Sequence, residues 1–467
     1  MARAQRILLL STYELGHQPL LLASPNGFLR SAGFDVRTCD LSVETLDDAL
    51  IDWADIVAVA VPMHTATRLA RAVVERARLR RGDEVRIVIY GLYAPHGLRS
   101  MPPASVDAAI GGEFEEELVR YACGAPTVRS IVLDRLRFVP PERNGLPPLS
   151  RYARLLWRGE ERLAGYVEST HGCVHRCRHC PVPVVYNGRI RVVPRDIVVA
   201  DAIRQWGSGA RHLTLGDPDF LNAVPHALAI ARDLHAALPE LTFDITTKIE
   251  HIVRHQQVFA ELASLGCIFV VSAVESTDAR VLRILNKGHT HADTLAAVSM
   301  LRSHGIELRP SLLPFTPWSG LQAYLQLLDF VASWDLVGSV DPVQLSIRLL
   351  LPEGSLLLGH PEMLPYLTGT FDESGYAWRH PDPAVDDLAA RVAGLVSAAA
   401  DSGEPPVVTH RRIRAIAAEA ARPAGIHWDP AIPPIVAAGR EQSARPRLSE
   451  PWFCCAEPTT TQLAAAR

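Results

Sequence analysis

The sequence predicts an α/β protein in two parallel-sheet units: a doubly wound N-terminal domain, then a (β/α)6 partial barrel, followed by a small helical region and an extended tail. Three observations carry that expectation. Apolar runs of strand length, such as Arg6–Ser11 (RILLLS) and Asp55–Val61 (DIVAVAV), alternate with segments of helical period, the pattern of a parallel sheet covered by helices. A stretch rich in proline and charge, Pro140–Pro148 (PPERNGLPP), interrupts the alternation and reads as a linker. Beyond it, the strand-like run Tyr166–Thr170 feeds directly into a loop holding Cys173, Cys177 and Cys180. The expected divisions are 1–140, a linker 141–164, the barrel 165–355, a helical region 356–446 and the tail 447–467.

Composition narrows the function classes. A chain of 467 residues, 48% of them hydrophobic, can bury more than one core. A formal net charge of −4 argues against nonspecific nucleic-acid binding. The first residues (MARAQRILLLSTYELG) lack the length and cleavage pattern of a signal peptide. No uninterrupted apolar run reaches the ~18 residues of a membrane span. Eight cysteines cluster instead of spreading, which suits metal or redox chemistry in a reducing cytosol, so the expected location is cytoplasmic.

In the first unit, Arg6–Ser11, Phe34–Cys39, Asp55–Val61 and Val85–Tyr90 read as strands, and His64–Arg80 as an Arg-rich helix. Ligands of such sheets sit beyond the carboxyl ends of the strands, here the loops carrying His17, His64, Gly91 and Tyr93. The basic, aromatic segment Ser150–Glu161 reads as a bridging helix. In the second unit, strands are expected at Tyr166–Thr170, His212–Gly216, Thr242–Thr247, Ile268–Ala273, Glu307–Leu313 and Pro342–Leu349. Arg309 and Ser311 alternate on one face of the fifth, and Gln344, Ser346 and Arg348 on one face of the sixth. Buried polar side chains at period two need partners, and a cofactor and substrate would supply them. Helices are expected at Leu388–Ala400 and Arg411–Ala421, and Thr459–Arg467 reads as disordered.

The chemistry is concentrated in Cys173-Val-His-Arg-Cys177-Arg-His-Cys180, spaced CxxxCxxC. Thiolates suit an iron–sulfur cluster, and three of them leave one iron of a [4Fe–4S] cube without a protein ligand. Zinc is the alternative, with His175 and His179 as nitrogen ligands, but no second distant Cys pair follows. The loop resembles the signature of the radical SAM superfamily. That resemblance implies that S-adenosylmethionine chelates the open iron and is reductively cleaved, with electrons from an external flavodoxin or ferredoxin type donor. It also implies roles for other residues. His179 takes the place of an aromatic residue near the adenine. Gly216 and Asp217, in Gly-Asp-Pro-Asp-Phe, take the place of a loop contacting the methionine amino group. Glu275 and Ser276, in a run closing with Lys287, lie near the ribose and carboxylate. Thr246, Lys248, Arg309, Ser311 and Arg348 complete the cofactor-binding set. Arg176 and Arg178 are expected to offset cluster charge.

The N-terminal half resembles the cobalamin-binding domain that precedes many radical SAM cores. Val106–Leu118 (VDAAIGGEFEEEL) matches that domain's closing segment. A histidine motif for the lower cobalt ligand is missing; the nearest loop reads Thr12-Tyr-Glu-Leu-Gly-His17. Cobalamin near His17, His64, Gly91 and Tyr93 is one expectation, and a purely structural domain is the other. The ending, Pro451-Trp-Phe-Cys454-Cys455-Ala-Glu-Pro458, resembles the CUAEP/CCAEP-tail radical SAM (seleno)protein family, whose members carry selenocysteine or cysteine at the position of Cys454. Exchange with selenocysteine implies a reactive chalcogen. The pair Cys454 and Cys455 is therefore the expected catalytic element. It could hold a thiophilic element, donate a hydrogen atom or electron, or ligate a metal. The partner expected is a small-molecule substrate, with neither nucleic acid nor membrane. The rival readings are a cobalamin-dependent methyltransferase and an iron–sulfur sensor.

Overall fold

The computed structural model describes residues 5–126, 128–431 and 445–466. Its first sheet is built from β1 (Arg6–Ser11), β2 (Asp35–Asp40), β3 (Ile56–Ala60), β4 (Arg86–Tyr90), β5 (Ala108–Gly112) and β6 (Ile131–Val132). All pairings are parallel, in the order β2-β1-β3-β4-β5-β6. The two-residue period of a strand divides each apolar run between two cores. Leu8, Leu10, Val57, Val59, Ile87 and Ile89 face one; Ile7, Leu9, Ile56, Ala58, Val88 and Tyr90 face the other. The strand order reverses at β1, so the crevice between the loops after β1 and β3 is the switch point.

The expected bridging helix at Ser150–Glu161 is instead a hairpin. β7 (Arg154–Trp157) returns into β8 (Glu160–Val167) through Arg158 and Gly159, both at positive φ (53° and 79°). Two successive left-handed residues make a turn whose twist matches antiparallel strands, and a glycine second favours it. After the short antiparallel pair β9 (Thr170–Gly172) and β10 (Ile190–Val192), the barrel continues with β11 (His212–Leu215), β12 (Thr242–Thr246), β13 (Cys267–Glu275) and β14 (Glu307–Leu312). β8, β11, β12, β13 and β14 are parallel neighbours.

The sixth barrel strand expected at Pro342–Leu349 does not form. Pro342–Leu345 is a single 3-10 turn, and only a bridge between Phe315 and Arg348 marks the strand position. Gln344 is used differently: its side-chain oxygen accepts from the Leu312 backbone N–H at 3.0 Å, closing the edge of β14. A proline at the first position, without an N–H to donate, favours the turn.

The C-terminal region carries a hairpin of β15 (Leu367–Asp372) and β16 (Gly375–Trp378), then helices Pro383–Ser402 and Pro406–Ala421. Their apolar faces join the barrel's own core. Residues 432–444 of this region lie outside the described residues. The chain returns as β17 (Arg447–Leu448), antiparallel to β7, and so becomes the outermost strand of the barrel sheet. The segment expected to be disordered holds a short helix, Thr460–Ala465, started by a reciprocal Thr459/Gln462 capping box. Among the described residues no helix is long and apolar enough to cross a membrane.

The linker acts as a clamp. The Arg143 guanidinium pairs with Asp201 at 2.7 Å and donates to Gln18 and to the Tyr166 carbonyl, joining the first loop, the barrel strand β8 and its helix. Asp201 is 2% exposed at its side chain, so losing Arg143 leaves this buried charge with only Arg204, at 3.4 Å, as a cation. Arg143→Met should therefore destabilise the protein by about 3 kcal/mol, read by urea unfolding followed by circular dichroism.

Candidate active site

The cysteine loop begins where β9 ends. Cys173 and Cys177 are buried, and Cys180 is half-buried. Burial first, then the Asp219 carboxylate, pushes the Cys173 thiol up to about 11. Burial also raises Cys180, with the Cys177 and Cys173 thiols adding to it, so the three sulfurs sense one another. They are nonetheless not gathered like ligands of one ion. Around a tetrahedral zinc, sulfurs lie about 3.8 Å apart. Among the described residues, the Cys, His, Asp or Glu group whose ligand atoms fall within 4.8 Å of one another is His175, Asp219 and His251, not the three thiols. Three thiols on one short loop are the donor set that an iron–sulfur cluster would take.

Three cations lie in or beside the cysteine loop: Arg176, Arg178 and Lys287. Arg178 donates to the Ile284 carbonyl at 2.7 Å and to Arg283, capping the helix Ala279–Leu285, and Arg176 pairs with Asn187. Both partners are neutral groups, so each guanidinium keeps its charge within the loop. Lys287 is buried beside the loop, and its ammonium donates to Glu275 at 3.1 Å; burial lowers its pKa, but Glu275, then Cys177 and Cys180, outweigh burial and raise it. Glu275 also meets His179 Nε2 at 3.0 Å. Burial alone would raise the Glu275 carboxyl; Lys287 and His179 outweigh it and hold the group well below the usual carboxylate range. Glu275 sits at φ 63°, left-handed for a non-glycine residue, beside a register shift between β13 and β14. Such strain is kept where surrounding contacts impose it.

Asp217 is buried, and both its oxygens are engaged: Ser169 N–H at 3.0 Å, Ser169 Oγ at 2.7 Å and Thr170 Oγ1 at 2.6 Å. It braces the approach to the cysteine loop from β11. Gly216 packs under Tyr166, where a Cβ would meet the phenol oxygen at 2.0 Å, so no side chain fits. Asp219 is a second hub. It accepts from Thr247 Oγ1 at 2.6 Å and from His251 Nδ1 at 3.1 Å, while His251 Nε2 meets His175 Nε2 at 3.0 Å. Both ring nitrogens of His251 are thereby used in a hydrogen-bonded chain to the cysteine loop.

These elements surround a cavity of about 440 Å³ at the carboxyl ends of the barrel strands, lined in part by His17, Tyr93, His179, Gly216, Asp217, Thr246, Glu275, Arg309, Ser311 and Arg348. Cys454 and Cys455 line it too, with their sulfurs 3.6 Å apart. Two expected members lie outside. Lys248 pairs with Glu250 at 3.0 Å, and the Ser276 hydroxyl accepts from Asp278 N–H in a local turn. Arg309 pairs with Asp341 at 2.7 Å, and Arg348 pairs with Asp386 at 2.6 Å while lying 3.6 Å over the Trp378 ring. His64 is turned from the cavity to Glu457 of the tail at 2.7 Å. Gly91 lines a separate, smaller crevice, and His17 lines both, with burial lowering its ring to about 4, so it is neutral.

Sequence reasoning missed the contact between the two units. Glu113, in the GGEFEEE run, is fully buried and takes His171 Nδ1 at 3.1 Å and the Tyr186 hydroxyl at 2.9 Å from either side of the cysteine loop. Nearby, Glu115 faces the smaller crevice; burial, then Glu113, raises it to about 7.

Residues 167–328 match the family model described as the Radical SAM superfamily. The chain therefore carries a radical SAM domain, and the protein is an enzyme. It is 20% identical over 355 residues to a putative methylthiotransferase of Methanocaldococcus jannaschii, covering 71% of this chain and 74% of that protein. It is 26% identical over 150 residues to the tRNA-2-methylthio-N(6)-dimethylallyladenosine synthase of Chlorobaculum tepidum, 30% of this chain and 33% of that protein. Among solved structures, the cobalamin-dependent S-adenosylmethionine radical enzyme OxsB aligns with a TM-score of 0.65 at 14% identity, over 90% of this chain and 75% of its own. The radical S-adenosylmethionine methyltransferase TsrM of Kitasatospora setae, solved with cobalamin and a [4Fe–4S] cluster, aligns with a TM-score of 0.58 at 18% identity, over 76% and 77%. Both halves of the expected fold are shared with these structures.

Two outcomes follow from this geometry. Lys287→Met should leave Glu275 buried without its cation and lower iron retention after anaerobic reconstitution, measured by iron content and visible absorbance, whereas Lys287→Arg should retain more. For Glu115, a folded-state value raised from 4.5 to about 7 means its stabilising contribution is full below pH 4.5 and is lost as pH rises through 7. Glu115→Gln should therefore raise the melting temperature relative to wild type more at pH 8 than at pH 5, by thermal unfolding at each pH.

Proposed function

We propose that this protein is a radical SAM enzyme acting on a small molecule, with Cys173, Cys177 and Cys180 holding the cluster and the tail pair Cys454 and Cys455 handling the substrate or its radical. When bound, a [4Fe–4S] cluster supplies the electron that reductively cleaves S-adenosylmethionine. The observation that carries the reading is the shared cavity: the tail thiols and Glu275, Asp217, Thr246 and Arg309 line the same space. Its ~440 Å³ falls in the ~300–1,000 Å³ range of small-molecule sites.

The chain's own residues divide the work. Lys287 and His179 hold Glu275 ionised at the cavity wall, next to the cysteine loop. Asp217 fixes Ser169 and Thr170, and with them the direction in which β8 delivers the loop. Trp452 and Phe453 place apolar surface beside the thiols in the cavity wall. Cys455 is raised well above the usual thiol range by its hydrogen bond with Cys454, then by burial, so it stays protonated and able to give a hydrogen atom or proton. An external electron donor of flavodoxin or ferredoxin type completes the reaction.

The second reading, cobalamin-dependent methyl transfer, is favoured by the fold shared with OxsB and TsrM. Anaerobic reconstitution with a low-potential reductant separates the two: the first reading expects 5′-deoxyadenosine and methionine, the second S-adenosylhomocysteine and a methylated product. Cys454→Ala should leave cleavage of S-adenosylmethionine within about threefold of wild type and lower product by about tenfold or more. Unchanged product by mass spectrometry would remove the tail from the reaction.

A further inference from the structure

The barrel cavity is enclosed: of the residues lining it, all but Pro218 are buried or half-buried. A second cavity, of about 610 Å³, lies against the tail, bounded by the hairpin of β15 and β16 and by the helix Pro383–Ser402. Six residues line both spaces: Ile347, Arg348, Leu349, Leu350, Trp452 and Cys455. Along them the two cavities are separated by a wall one residue thick. The tail thiols therefore differ. Cys455 lines both cavities, whereas Cys454 lines the barrel cavity and not the outer one.

The tail is fixed in that wall from three sides. Thr65 N–H donates to the Cys454 carbonyl at 3.3 Å, and the Thr65 hydroxyl lies 3.0, 3.2 and 2.8 Å from the carbonyls of Phe453, Cys454 and Ala456. Glu457 meets His64 at 2.7 Å, Arg68 Nε at 2.9 Å and, in the turn between β15 and β16, Ser374 Oγ at 2.7 Å. Trp452 Nε1 donates to the Glu457 carbonyl at 3.0 Å. On the other flank of the wall Arg348 is held by Asp386 at 2.6 Å and by the Trp378 carbonyl at 3.0 Å.

The outer cavity has the character of a small-molecule site. Its volume falls in the ~300–1,000 Å³ range of such sites, and Leu349, Leu351, Trp378, Ala389 and Ala456 give it a buried apolar wall. Its charges are balanced. Asp386 pairs with Arg348 and Glu457 with Arg68, while Asp372 and Arg379, of opposite sign, stand exposed at its rim. Burying a charged ligand without a partner is costly, so this lining suits an uncharged, apolar one. Ala390 and Ala393 are exposed as well, so the cavity opens to solvent past them.

We propose that the outer cavity is a second binding chamber, which takes the bulk of a neutral, largely apolar substrate from solvent and seats it against the Cys455 thiol. The inference rests on the reading that the tail pair handles the substrate, and it gives the two thiols different tasks: Cys455 meets the molecule in the outer chamber, and Cys454 faces the barrel cavity alone.

The test is affinity labelling of the full chain, anaerobically reconstituted with its cluster, by pyrene maleimide and by N-ethylmaleimide. Cys454→Ser leaves Cys455 to be read and Cys455→Ser leaves Cys454, each by peptide mass spectrometry, with every rate divided by that of the same reagent with glutathione. On that scale pyrene maleimide should label Cys455 about tenfold faster than N-ethylmaleimide, because the chamber binds the pyrene first, and should show no such preference at Cys454. Ala393→Trp and Ala390→Trp, each in the Cys454→Ser chain, should abolish the preference; both positions are exposed, so the larger side chain fills the chamber from its open side. Equal rates of the two reagents at Cys455, the same preference at Cys454, or a preference that both tryptophan variants leave intact would each overturn the proposal. Labelling needs no turnover, so these outcomes stand apart from the Cys454→Ala product assay that tests the tail's part in the reaction.

Discussion

The contact on which the site depends is the buried carboxylate of Glu275 between Lys287 and His179. One partner comes from the turn after the helix Ala279–Leu285, the other from the cysteine loop itself. A carboxylate buried beside the cysteine loop is tolerable only with a cation next to it, since an unpaired buried charge is costly. Lys287, 2% exposed, is that cation. The left-handed backbone at Glu275 and the register shift beside it are the local cost of turning the carboxylate toward the loop.

Around this contact the loop is held from three further sides. Asp217 reaches it from β11, the Asp219–His251–His175 chain from the loops after β11 and β12, and Glu113 from the first domain. Each is a charged or polar group buried with its partners satisfied, and such networks specify one arrangement strongly. The two units are therefore coupled at the reactive loop itself. The tail completes the enclosure, because it starts as the edge strand of the barrel sheet and ends on the first domain.

Much of the architecture was legible from local pattern. The parallel strands β1, β3 and β4 and the barrel strands β11 to β14 appear within a residue or two of expectation, because each is a short apolar run bounded by polar turns. The misses have local physical reasons. At Ser150–Glu161 the Arg158-Gly159 turn overrode an aromatic, basic segment that resembled a helix face. At Pro342–Leu349 period-two polar residues suggested a strand, but a leading proline and the side chain of Gln344 made a turn instead. At Thr459 the capping-box pattern was present in the sequence and went unread.

What the sequence by itself determined is the set of chemical groups and their local supports: the CxxxCxxC thiols on one loop, the Gly216-Asp217 pair after a strand, the paired thiols followed by Glu457. Those depend on spacing along the chain and on side-chain type. Only the tertiary structure decided which groups meet. Lys287 meets Glu275 beside the cysteine loop, His64 meets Glu457 of the tail, and Cys454 and Cys455 arrive at the cavity from some 280 residues away in sequence. Such pairings arise from how far the chain can fold back to satisfy buried charge and backbone N–H groups, and no local pattern records that.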